Sequence, residues 1–266
     1  MEAPELKLYI DGQWLGCEGG RDAVPVVDPA TGKSFGELPV ATSADLDAAL
    51  HSAAAAWPGW RATPAVERGR MLKRAADILR SRREQIARCL TREEGKPLTE
   101  ALIEVDGAAG HIEWMAEQGR RAYGRVVPGP ANIRQTVLKR PIGVAAGFAP
   151  WNFPATTPAR KLSASLAAGC CCILKAPEEA PVTAIEMVRA FAEAGVPRGV
   201  INLVFGVPPQ ISRHLIASPI VRKVSFTGST AVGRQLAELA AAAVKPITME
   251  LGGHAPVLVF DDVDVE

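Results

Sequence analysis

The chain is predicted to fold as an α/β protein, a parallel β-sheet with helices on both faces. Three observations carry that prediction. From Gly143 onward, short apolar runs alternate with helical patterns and are separated by Gly and Pro, as βαβ crossovers require. From Pro64 to Arg120 the helical signal is nearly continuous. Between them, Val126 to Arg140 is Pro- and Gly-containing and then extended, which predicts an antiparallel excursion with an open edge, a candidate subunit contact.

Taken in order, Leu6 to Trp14 predicts a hairpin turning at Asp11-Gly12. Val26 to Gly32 is turn-rich. Thr42 or Ser43 caps a helix over Ala44–Trp57, with Asp45 and Asp47 in its first turn, and Pro58-Gly59 ends it. Val66, Met71, Leu72, Ala75, Ile78 and Leu79 then recur at helical spacing. A second helix carries Ile86 and Leu90 and closes at Gly95-Lys-Pro97, and a third runs from Leu98 to Arg120. Arg80, Arg82 and Arg83 fit a solvated helix face. Strands are expected over Gly143–Ala149, Gly169–Lys175, Val200–Phe205, Val221–Phe226 and Pro246–Leu251. Helices are expected over Pro158–Ala168, Val182–Ala194, Pro209–Ala217 and Thr230–Ala243.

Composition narrows the function classes. The 266 residues are 48% hydrophobic and 22% charged, with net charge +1. That balance points to neither nucleic acid nor a membrane surface as partner. No apolar stretch reaches a membrane span, and Met1-Glu-Ala-Pro-Glu does not resemble a signal peptide. Five cysteines, three consecutive at Cys170–Cys172, form no disulfide framework and fit a cytoplasmic setting. Four scattered His residues predict no metal site.

Ligands of parallel sheets bind at the carboxyl ends of the strands. Those ends carry Pro150-Trp-Asn-Phe-Pro154, Lys175-Ala-Pro-Glu178, Gly206, Thr227-Gly-Ser229 and Glu250-Leu-Gly-Gly253. Val221 to Gly233 reads as strand, Gly turn and helix start, which is either an anion site or a plain Ser-capped turn. Asn152 is either an amide donor to an oxyanion or a turn residue between prolines. Lys175 and Glu178 suit ribose hydroxyls, or form a surface ion pair. Glu250, beside two glycines, is either a general base or a solvated strand-end carboxylate.

Phe148-Ala-Pro-Trp-Asn-Phe-Pro154, Leu174-Lys-Ala-Pro-Glu178, Ser225-Phe-Thr-Gly-Ser-Thr-Ala-Val-Gly233 and Met249-Glu-Leu-Gly-Gly253 together resemble the aldehyde dehydrogenase superfamily. The run from Ser218 to Asp264 is most similar to its succinate-semialdehyde branch. The resemblance implies a Rossmann-like fold with an antiparallel oligomerisation arm and the start of a second α/β catalytic domain. It divides the chain into a helical part of the cofactor domain (1–125), the strand arm (126–142), the dinucleotide-binding part (143–251) and the first segment of a catalytic domain (252–266), with Ala255–Phe260 as its first strand. It implies Asn152 as oxyanion donor and Glu250 as general base. Pro150, Trp151, Lys175, Glu178, Gly228, Ser229, Gly233 and Leu251 are implied to line the cofactor. Arg160, in Thr157-Pro-Ala-Arg160-Lys161 with a lead-in that differs from the branch pattern, is either the clamp for a distal carboxylate of the substrate or an ordinary helix-surface Arg. Glu at position 178 goes with NAD, although NADP is admitted in the family. The implied partners are a small aldehyde and further copies of the chain, as a dimer or tetramer.

One departure follows from the same resemblance. The family's nucleophilic Cys lies farther along than the sixteen residues that follow Glu250 here, and none of the five cysteines matches it. A buried strand Cys acts as a small apolar residue. The 266 residues are therefore expected to be inactive and poorly soluble alone. The alternative is a non-catalytic dinucleotide-binding or assembly module.

Overall fold

The computed structural model describes residues 5–18 and 20–264. A seven-stranded sheet runs in the order β11-β10-β7-β8-β9-β1-β2. Its parallel part comprises β7 (Val144–Phe148), β8 (Cys171–Lys175), β9 (Ile201–Val204), β10 (Val221–Gly228) and β11 (Ile247–Leu251). The hairpin β1 (Leu8–Ile10) and β2 (Gln13–Leu15) extends it antiparallel, with Tyr9 opposite Leu203. Asp11 and Gly12 both take positive φ at the predicted turn.

The crossovers step one way from β7 to β8 to β9, then return to the other side of β7 as β10 and β11. Right-handed crossovers stepping in opposite directions fall on opposite faces. α5 (Thr156–Ala167) and α6 (Pro181–Glu193) accordingly pack with α2 (Ala65–Ser81), α3 (Arg83–Glu94) and α4 (Leu98–Gly119). α7 (Pro208–Ala217), α8 (Thr230–Ala242) and α1 (Ser43–Ala62) form the other layer. β7, β8 and β9 are buried at every position, as strands covered on both faces must be. The three consecutive cysteines lie in this core.

Thr42, not Ser43, caps α1, in a reciprocal capping box with Asp45. α1 runs through Pro58 instead of ending there. Trp60 is buried beyond the proline, and its packing outweighs the lost hydrogen bond. Gly95 closes α3 in the left-handed conformation. Arg80, Arg82 and Arg83 are engaged in ion pairs with Glu113, Glu193 and Asp106.

The turn-rich passage after Val26 is the loop of a hairpin, β3 (Ala23–Asp28) with β4 (Lys33–Pro39). Most of its residues face solvent, so it lacks the apolar alternation of a buried strand. The expected excursion is a separate ribbon, β5 (Arg125–Val127) with β6 (Gln135–Val137). Tyr123, Val126, Ile133 and Leu138 are exposed on and around it. The strand expected at Ala255–Phe260 is not formed. Residues 252–260 carry no regular structure, and a lone strand has no partner for its backbone groups. No described helix is long and apolar enough to cross a membrane.

Candidate active site

β7 and β10 are neighbours, and their chains leave in opposite directions at the carboxyl end. This is the switch point where an α/β sheet opens a crevice. A cavity of about 690 Å³ occupies it, lined among others by Pro150, Trp151, Lys175, Glu178, Gly228 and Ser229. β10 extends to Gly228, two residues beyond its expected end. Ser229 then caps α8, its side chain accepting from Val232 N–H at 3.3 Å. The N–H groups of Thr230 and Ala231 have no partner among the described residues. Two free amides at the positive end of a 13-residue helix fit a pyrophosphate.

Lys175, at the end of β8, is buried and its Nζ lies 2.6 Å from Glu178 Oε2. The other oxygen, Glu178 Oε1, accepts Gly206 N–H at 2.7 Å, just past β9. Gly206 takes φ +136 there, a backbone conformation that favours glycine. The pair is thus a fixed bridge between two strand ends and not a free surface contact.

Asn152 is exposed in the loop between β7 and α5. Arg160 is exposed on α5 with no carboxylate partner among the described residues. Glu250 sits in β11, in register with Thr227 of β10. Leu251 is beside it, opposite Gly228. Asn152, Arg160, Glu250, Leu251 and Gly233 lie outside the lining of the main cavity. Gly233 has a packing role: a Cβ there would stand 2.6 Å from Leu251 Cδ2.

Lys161 is a site residue that the reading of the sequence missed. Lys161 is buried on α5 and its Nζ donates to Thr227 Oγ1 at 3.0 Å and Ser225 Oγ at 3.3 Å. Burial pushes its ammonium down to about 8, opposed by the attraction of Cys172 and Glu250 and assisted by Arg160. Lys161 therefore links the helix that follows Asn152 to β10, whose Thr227 is in register with Glu250 of β11. The available signal was a Lys among Pro158, Ala159, Leu162 and Ser163, all on the buried side of α5.

A model of the aldehyde dehydrogenase family matches residues 14–266. The chain belongs to the aldehyde dehydrogenase family. It is 48% identical over 262 residues to the 4-(hydroxymethyl)benzenesulfonate dehydrogenase of Comamonas testosteroni, covering 97% of this chain and 54% of that protein. It is 43% identical to the NADP(+) succinate-semialdehyde dehydrogenase of Escherichia coli K12, covering 98% and 54%. The solved succinate-semialdehyde dehydrogenase of Burkholderia pseudomallei superposes with a TM-score of 0.94 at 46% identity, over 98% of this chain and 54% of that one. The chain thus spans about half the length of the relatives it matches.

Three thiols of this aldehyde dehydrogenase chain are hard to ionise. Burial raises Cys171 and Cys172 to about 12 and Cys89 to about 11. Cys170 is buried, and Cys17 is exposed beside Glu37, its Sγ 3.9 Å from that residue's carbonyl. A thiolate at neutral pH needs electropositive, accessible surroundings, and burial denies these to Cys89, Cys171 and Cys172.

Proposed function

We propose that this chain serves the NAD-dependent oxidation of an aldehyde bearing a distal anion to the corresponding acid. The observation that carries the reading is Lys161, whose ammonium joins α5 to Thr227, the strand neighbour of Glu250, next to the switch-point cavity. A nicotinamide dinucleotide bound there would supply the hydride acceptor. Thr230 and Ala231 amides would hold its pyrophosphate, and Lys175 with Glu178 its ribose. A carboxylate at 178 repels a 2′-phosphate, so NAD is favoured over NADP. Comparable kcat/KM with the two would overturn that preference.

In this reading the Asn152 amide donates to the substrate oxygen as it becomes negative. Glu250 takes a proton from the water that releases the acid. The attacking thiolate is none of the five cysteines: Cys170, Cys171 and Cys172 are buried, Cys89 is half-buried, and the exposed Cys17 follows β2 at the opposite end of the sheet from β10 and β11. Arg160 holds the substrate's distal anion. The relatives' names supply the choices: succinate and glutarate semialdehydes carry a carboxylate, 3-sulfolactaldehyde a sulfonate. The β5–β6 ribbon serves as a contact between copies of the chain, which sedimentation of a ribbon deletion would test.

Steady-state kinetics test the reading in the enzyme carrying this chain. NADH should form with succinate semialdehyde or a sulfonated aldehyde. Arg160→Gln should raise KM for those substrates about 10- to 100-fold, the worth of a charged hydrogen bond, and leave that for a neutral aldehyde unchanged. No turnover across a broad aldehyde panel sinks the reading.

A further inference from the structure

The loop carrying Asn152 is gripped by two side chains distant in sequence. Lys96 lies in the turn between α3 and α4. Its Nζ donates to the Asn152 backbone carbonyl at 3.0 Å and to Glu104 Oε2 at 2.5 Å. It also stands 3.4 Å from Glu94 Oε2 and 4.2 Å from the centroid of the Phe153 ring. Glu104, on α4, uses its other oxygen to accept Ala155 N–H at 2.9 Å and Thr156 N–H at 3.0 Å. α5 has no side-chain cap of its own. A carboxylate from another helix therefore occupies the positive end of its dipole.

Both side chains are almost fully removed from water. Apolar residues would pack α4 on α5 at least as favourably as a buried ion pair. Packing alone does not explain the pair, because its hydrogen bonds converge on one short loop. They hold Asn152 at its carbonyl and the two residues after Pro154 at their amides. The Asn152 side-chain amide has no hydrogen-bond partner among the described residues. A fixed backbone under an uncommitted amide is what a preorganised donor needs.

We propose that Lys96 and Glu104 are positioning residues that set the Asn152 amide for an oxyanion. The proposal rests on the role given to Asn152 above. Its test is a double-mutant cycle in the enzyme carrying this chain. Lys96→Met lowers kcat about 10- to 100-fold, less than the about 10²- to 10³-fold loss expected for Asn152→Ala, and leaves the NADH dissociation constant unchanged. In the Asn152→Ala background, Lys96→Met costs less than about twofold more, because both changes act through one amide.

Glu104→Gln enters the same cycle as a second variant, since it keeps an oxygen for Ala155 and Thr156 but releases Lys96. Hydrogen exchange gives a readout independent of turnover: amides 155 and 156 exchange faster in Lys96→Met and Glu104→Gln, while those of β8 keep their protection. Full kcat in both variants, or losses that add to that of Asn152→Ala, overturns the positioning role alone. Full kcat in Asn152→Ala overturns the oxyanion reading and the positioning role with it.

Discussion

β7, β8 and β9 are buried at every position, whereas β11, in the same sheet, exposes Thr248, Glu250 and Leu251. In the centre even the polar Asn202 is paired at both ends: Oδ1 accepts Asp11 N–H and Nδ2 donates to the Gly199 carbonyl. On the flank, Thr227 meets Lys161, and Glu250 and Leu251 are left open. One sheet thus separates two tasks. Its centre is wholly buried and stabilises the fold, and its flank holds groups that are open to solvent. Substitutions should sort the same way, with central ones lowering stability and those on the flank altering the site.

The largest expected contrast tests that directly. Ile173→Ala, in the middle of β8 and fully buried, should lose about 2–5 kcal/mol. Met249→Ala, half-buried in β11, should lose less than about 1.5 kcal/mol, since part of its area is already in water. Urea unfolding of both measures the difference, and equal losses would erase the distinction between centre and flank.

Lys161 stands on the boundary, and its charge gives a pH signature. Its folded value of about 8 lies below the ordinary 10.5. Between those values the unfolded chain holds the proton and the folded chain does not, so stability rises with pH through that window. The rise attributable to Lys161 is about 3 kcal/mol. Lys161→Met should therefore be more stable than the parent at pH 7 and flatten this rise. Denaturation midpoints at pH 7 to 10.5 check it, and a parallel pair of curves would refute the buried charge.

The parts of the fold legible in sequence were those with local signals. The alternation after Gly143 located every parallel strand within about two residues, because Gly or Pro bounds each short apolar-rich run. The Thr42 cap and the Gly95 stop were visible for the same reason. Pro58 misled because the burial of Trp60 is a tertiary fact. β3 and β4 were hidden because they face solvent. At the site, the motif residues around the switch point were legible as strand ends. Lys161 needed knowledge of which face of α5 meets the sheet. Lys96 and Glu104 could not be read at all, since their partners lie 56 and 51 residues away and no local pattern records such contacts.

The smallest expected effect is the sharpest probe of the flank. Gly233 is buried in the first turn of α8, and a Cβ there would stand 2.6 Å from Leu251 Cδ2 and 3.5 Å from Met249 Sδ. Something must move, but those atoms are the tips of flexible side chains, and Leu251 is already 38% exposed. Ala also gains about 0.5–1 kcal/mol of helix propensity over Gly. Gly233→Ala should therefore shift stability by no more than about 0.5 kcal/mol, with Leu251 rotating outward. Gly147, in β7, looks roomier: its Cβ would lie 3.3 Å from Lys161 Cδ and 3.5 Å from Cys172 Sγ. Both neighbours are buried and have nowhere to go, so Gly147→Ala should cost about 1–3 kcal/mol. The closer contact is thus expected to be the cheaper one. If urea midpoints rank the two glycines by contact distance instead, the flank is as rigid as the centre and its openness to ligand is an illusion of surface exposure.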